Sequence, residues 1–128
     1  MNLSPTTSIL LVDDQQSSIA ITQSILNRLG YKKVETVNSA SEAFELIRTR
    51  HFDIVFSDWH MQPMNGDELL RQVKRTAGHK CPKFYFLTGD SGFGCIVTAR
   101  ELGADGLLVK PQRTFDLMNK IAATMKLQ

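Results

Sequence analysis

Five polar residues stand out because each closely follows a short apolar run. Asp13 and Asp14 come after Ser8–Val12 (SILLV), Asp58 after Phe52–Phe56 (FDIVF), Thr88 after Lys83–Leu87 (KFYFL) and Lys110 after Leu107–Val109. Three carboxylates, a hydroxyl and an ammonium do chemistry together only if the chain makes them meet. Once they meet, the carboxylates repel: two unit charges ~4 Å apart cost about 4 kcal/mol at an effective dielectric of about 20. Either their pKa values rise or a cation sits among them. Oxygen donors without His or Cys suit Mg2+, which keeps several waters and binds one or two carboxylates together with a phosphate. Lys110 adds a fixed positive charge for an anion and Thr88 a hydroxyl donor. Such a set suits acceptance of a phosphoryl group on a carboxylate.

The elements between these residues are those that would bring them together. The apolar run at Ser8–Val12 is too short for a helix and fits a strand covered on both faces. Ile19, Ile21, Ile25, Leu26 and Leu29 form a helical stripe over Gln16–Leu29, and Gly30 ends it. Lys32–Val37 reads as a less hydrophobic strand, and Asn38 or Ser39 caps a helix over Ser41–Thr49. Phe52–Phe56 is the third strand, followed by a helix capped by Asn65 that ends near Gly78. Strand four is Lys83–Leu87, then a helix over Cys95–Leu102 stopped by Gly103, strand five at Leu107–Val109 and a last helix over Thr114–Met125. Alternating strands and helices with short connections call for an α/β fold with one doubly wound, five-stranded parallel sheet. In such a sheet the carboxyl ends of the strands share one edge, and a site forms where the strand order reverses.

The 128 residues fit one domain, expected to span 1–128, with a core that needs no staples. Two Cys, Cys81 and Cys95, exclude a disulfide framework and a four-Cys zinc site, and both read as packing residues. A formal charge of +2 gives no argument for nucleic acid, and Lys32-Lys33 is too short for a patch. No stretch approaches the ~18 apolar residues of a membrane span and the start has no signal-peptide pattern, so a cytoplasmic protein without membrane contact is expected. His51 and His79 fall in connecting segments and read as solvated; Trp59 is expected to form a semi-exposed wall beside Asp58.

Val12-Asp13-Asp14, Ser57-Asp58-Trp59, Met64-Asn65-Gly66, Thr88-Gly89-Asp90 and Lys110-Pro111, in that order at successive strand ends, resemble the receiver domain of two-component response regulators. The resemblance covers nearly the whole chain, and the free-standing chemotaxis regulator is the form it is most similar to. It implies a flavodoxin-like sheet of order 2-1-3-4-5 with five helices. Asp58 would accept a phosphoryl group from a phosphohistidine on a sensor histidine kinase or phosphotransfer protein. Asp13, Asp14, Asp58 and the backbone carbonyl of His60 would hold Mg2+, while Thr88 and Lys110 would each bind a phosphoryl oxygen. Output would be a protein–protein contact through about residues 92–127, with no direct nucleic-acid contact.

Departures from the family pattern are also visible. Gln62 intervenes before Pro63 in the loop after Asp58, and Leu107 occupies a switch position that is typically Tyr or Phe. Gly92 and Gly94 weaken a helix start by roughly 1 kcal/mol each relative to Ala, so residues 91–97 are expected to order on phosphorylation or partner binding. His60 and Asp90, two residues beyond Asp58 and Thr88, flank the place of the hydrolytic water in the family and are expected to set the phosphoryl lifetime. Other readings are a receiver cut from a longer regulator or hybrid kinase, and a metal-dependent aspartyl phosphohydrolase. The latter needs a second acid close after Asp58 and a substrate cap, neither of which is evident.

Overall fold

The computed structural model describes residues 6–77, 81–89, 93–110 and 113–126. Strand and helix alternate along it: β1 (Ser8–Val12), α1 (Gln16–Arg28), β2 (Lys33–Val37), α2 (Ala40–Thr49), β3 (Ile54–Ser57), α3 (Gly66–Ala77), β4 (Lys83–Thr88), α4 (Phe93–Leu102), β5 (Gly106–Val109) and α5 (Thr114–Lys126). The strands form one sheet in the order β2-β1-β3-β4-β5, and every pairing is parallel. Parallel crossovers are right-handed, so the direction of travel across the sheet selects the face a helix covers. The step from β1 out to β2 puts α1 on one face. The return from β2 past β1 to β3, and the further steps to β4 and β5, put α2, α3 and α4 on the other.

Period-two alternation divides the core accordingly. Leu10, Val12, Val55, Phe84 and Phe86 point to the α2–α4 face, where they meet Ala40, Ala43, Leu69, Leu70, Val73 and Ala99. Their strand neighbours Ile9, Leu11, Ile54, Phe56, Tyr85 and Leu87 point the other way, against Ile25 and Leu26 of α1 and Leu117, Ile121 and Met125 of α5. Each such fully buried side chain contributes about 1.5–3 kcal/mol relative to exposure. Burial on both faces explains why β1 and β3 read as unbroken apolar runs.

Element ends follow local chemistry. The Ser39 hydroxyl accepts from the Glu42 amide at 3.2 Å, so α2 begins at Ala40, one residue before the expected start. Gly30, at φ +102°, takes the left-handed turn that ends α1, a conformation which costs other residues a Cβ clash. Helix α4 begins at Phe93 rather than Cys95 and takes in Gly94 as its second residue; of the segment expected to order on phosphorylation, residues 91 and 92 lie outside the described residues. Strand β3 begins at Ile54 rather than Phe52, and runs on through Ser57.

Tyr31, just past that turn, is 1% exposed. Its hydroxyl has no hydrogen-bond partner among the described residues, and burial pushes its pKa up to about 12. A buried hydroxyl without a partner costs the desolvation of that group. Tyr31→Phe is therefore expected to stabilise the fold by about 1 kcal/mol in urea denaturation; a loss of that size would instead mean that the hydroxyl is satisfied.

Candidate functional site

Register brings the strand-end residues together. Val12 pairs with Ser57 and Thr88 with Val109, so Asp13 and Asp58 leave neighbouring strands side by side, as do Gly89 and Lys110. The ladder continues past the strand ends: the Asp13 amide donates to the Val37 carbonyl (3.2 Å), Asp58 to Val12 (2.9 Å) and Lys110 to Thr88 (2.7 Å). The backbone beneath the candidate site is thereby held by the same bonds that hold the sheet.

Lys110 starts from the edge strand β5, three strand spacings from β1, or roughly 14 Å. Its long stem reaches inward, and the Asp13 side chain meets it partway. Nζ donates to Asp13 Oδ2 at 2.8 Å and to Ser18 Oγ at 2.6 Å, and lies 3.8 Å from Asp58 Oδ2. Asp13 Oδ1 accepts from the Gln15 amide at 2.9 Å. Asp58 Oδ1 accepts from the Trp59 amide at 2.6 Å, and the Thr88 hydroxyl also bonds the Asp58 carboxylate. Asp13 and Thr88 are buried, and the Asp58 side chain keeps 13% of its surface exposed. Burial pushes the Asp58 carboxyl above the ordinary range. The Lys110 ammonium opposes that, Asp13 adds to it, and the bonds from Thr88 and Trp59 pull it back down. Below the carboxylates, a cavity of about 10 Å³ lined by Asp13, Ser18, Thr22 and Asp58 has room for one water and no more. Any phosphate-sized group must approach from the solvent side.

Two expectations need revision. The carboxylates do not form a ready trio: Asp14 is exposed and turns Oδ2 toward the Gln62 amide at 3.4 Å. Among the described residues no three His, Cys, Asp or Glu side chains gather closely enough to chelate an ion. The ammonium of Lys110 supplies part of the neutralising charge. The oxygen-only donors of Asp13, Asp14 and Asp58 still fit a hard cation that uses one or two carboxylates and keeps its waters.

Trp59, expected to be a semi-exposed wall, is 7% exposed, with its ring centroid 4.5 Å from that of Phe86. The loop after β3 folds inward because the Gly66 amide donates to the Trp59 carbonyl at 2.7 Å. Asn65 Oδ1 meanwhile accepts from the Met61 amide at 3.0 Å, so its side chain ties down the loop before α3. A Cβ on Gly66 would overlap the Asp58 carbonyl oxygen.

His60 is exposed and Leu107 half-buried, the latter paired in register with Phe86. Asp90 and Pro111 lie outside the described residues. Ser18 escaped the sequence reading: Gln16-Ser17-Ser18 is simply the polar start of a helix, and nothing in it announces a partner 92 residues away.

The profile of the response regulator receiver domain matches residues 9–122. The chain belongs to this family. Receiver domains are signalling domains. A probable chemotaxis protein CheY of Rhizobium etli is 27% identical over 111 residues, covering 87% of this chain and 86% of its own. The chemotaxis response regulator CheY4 of Vibrio cholerae superposes with a TM-score of 0.80 at 28% identity, covering 93% of this chain and 98% of that one. The Mn(2+)-bound response regulator Rcp1 shares the fold at 18% identity, with a TM-score of 0.80 and coverage of 91% and 90%. Among the described residues no helix is long and apolar enough to cross a membrane.

Two stability tests follow from this geometry. Because the Asp58 carboxyl is raised when folded, the unfolded chain binds fewer protons, and stability falls as pH rises through the window above the ordinary carboxylate pKa of about 4. Asp58→Asn is therefore expected to unfold at a higher temperature than the parent near pH 7, with the advantage disappearing near pH 3; an equal advantage at both would contradict the electrostatic cause. Gly66→Ala is expected to lose about 2 kcal/mol on chemical denaturation, within the usual range for overpacking.

Proposed function

We propose that this receiver accepts a phosphoryl group on Asp58 Oδ2 from a phosphohistidine of a sensor histidine kinase or phosphotransfer protein. One observation carries the reading. Asp58 Oδ1 is engaged by the Trp59 amide at 2.6 Å, while Oδ2 stands 3.8 Å from the Lys110 ammonium. One oxygen is anchored and the other faces a positive charge. In the transfer, Oδ2 attacks phosphorus, the P–N bond breaks, and the imidazole leaves with its electron pair and takes up a proton.

Phosphoryl transfer asks mainly for positioning and for neutralised equatorial oxygens. Lys110 supplies an ammonium for one of them, and the Thr88 hydroxyl, already bonded to the carboxylate, is placed to donate to another. Mg2+, held by Asp13, Asp14, Asp58 and the His60 carbonyl, would supply the remaining positive charge. His60 and Asp90 would tune the lifetime of the acyl phosphate. Leu107, half-buried at the α4–β5 side, would take the place of the usual aromatic switch, and a target protein would dock on the surface of about residues 92–127. The setting would be the cytoplasm, where phosphohistidine donors are found, and the chain would turn over no small substrate.

Intact-mass measurement after incubation with acetyl phosphate and Mg2+ tests the reading. One phosphoryl adduct per chain is expected, absent in Asp58→Ala and without chelatable metal. Lys110→Ala is expected to label about 100-fold more slowly, the scale of losing one charged donor to a transferring group. Continuous release of phosphate in excess of protein would instead make this a hydrolase.

A further inference from the structure

We propose that Ser18 is a positioning residue that draws the Lys110 ammonium onto Asp13 and leaves its ion pair with Asp58 long, so that a hydroxyl on α1 restrains metal binding and phosphoryl acceptance. The inference rests on the function proposed above, and adds to it a residue from α1, an element that contributes no carboxylate or cation to the site.

The geometry is specific. Ser18 is the third residue of α1 and half-buried, and its Oγ lies 2.6 Å from Lys110 Nζ. That is shorter than the 2.8 Å to Asp13 Oδ2 and well inside the 3.8 Å to Asp58 Oδ2. An ammonium has three donors and no acceptor, so two of its three hydrogens are committed to this resting pose. At the start of α1 the attraction of Asp13 for the ammonium is opposed by the helix end. The helix N-terminus is itself positive, and the first turn of α1 carries no acidic residue. The hydroxyl oxygen offsets that local repulsion, so Ser18 adds to the hold of Asp13 on the ammonium.

The resting pose conflicts with the proposed chemistry in two ways. It occupies Asp13 Oδ2, on a carboxylate that would help to hold a divalent cation, and it leaves the positive charge 3.8 Å from the oxygen that is to carry the phosphoryl group. In the phosphorylated state the ammonium serves a phosphoryl oxygen beside Asp58, and the bond to Ser18 contributes nothing. Removing Ser18 Oγ therefore weakens the resting state alone. Metal affinity and phosphorylation rate should both rise.

Ser18→Ala tests this in the intact chain, with Mg2+ as the probe and Trp59 fluorescence as a readout that needs no phosphodonor. Mg2+ affinity is expected to rise about tenfold, the scale of losing a hydrogen bond to a charged group, and labelling by acetyl phosphate to quicken in parallel. Ser18→Thr, which keeps the hydroxyl, should behave as the parent does. In a Lys110→Ala background the Ser18→Ala change should have no effect on Mg2+ affinity, because the partner is gone. A general packing role for Ser18 would shift both backgrounds alike, with a matching change in thermal unfolding. If the parent binds Mg2+ and is labelled at Asp58, but Ser18→Ala stays within twofold of it or weakens binding, the positioning role is wrong while the receiver function stands. If the parent itself neither binds Mg2+ nor is labelled, the functional reading fails first.

Discussion

One ammonium in contact with two carboxylates is the interaction on which the rest of the site depends. Asp13 and Asp58 leave adjacent strands, and little water reaches either of them. Taking such charges out of water costs several kcal/mol each unless an opposite charge and hydrogen bonds compensate. Lys110 provides that charge from three strands away. Backbone amides of Gln15 and Trp59 take up one oxygen of each acid. The balance is deliberately incomplete in the electrostatic sense: two negative charges face one positive. The local field therefore still favours a further cation, and the exposed Asp14 adds to it.

The parallel sheet is what makes this balance possible. A residue following a strand has no fixed place in space until register is set. Here the ladder bonds from Asp13, Asp58 and Lys110 extend the register beyond the strands themselves. The same alternation that separates the two apolar layers leaves the strand ends polar and facing one edge. Core and site are thus two readings of a single backbone arrangement, and a slip in register would spoil both.

The strand-end positions of Asp13, Asp58, Thr88 and Lys110 were legible because a polar residue behind a short apolar run carries both its element and its location. Short connections called for a doubly wound parallel sheet, while its strand order came from the resemblance to receiver domains. Trp59 was misjudged because its flanks, Asp58 and His60, are polar; what buries it is a bond from the Gly66 amide and the ring of Phe86, both distant contacts that no local pattern encodes. Asp14 looked equivalent to Asp13, yet one residue farther along a turn is enough to send its carboxylate to the solvent. Ser18 was invisible for a related reason: its role depends on the reach of a side chain, not on its own neighbours. Helix starts at Ala40 and Phe93 differed by one or two residues, where capping and fraying decide the boundary.

The bare glycine at the head of α3 has a mechanical consequence. With Gly66 bonded to the Trp59 carbonyl and lying close against the carbonyl of Asp58, that helix is riveted to the main chain at Asp58 and Trp59. On the opposite flank, among the described residues, β4 and β5 reach the same carboxylate through the tips of Thr88 and Lys110. A load placed on Asp58 thus meets a stiff abutment on one side and a compliant linkage on the other. The acid is gripped through main chain on one flank and through side chains on the other.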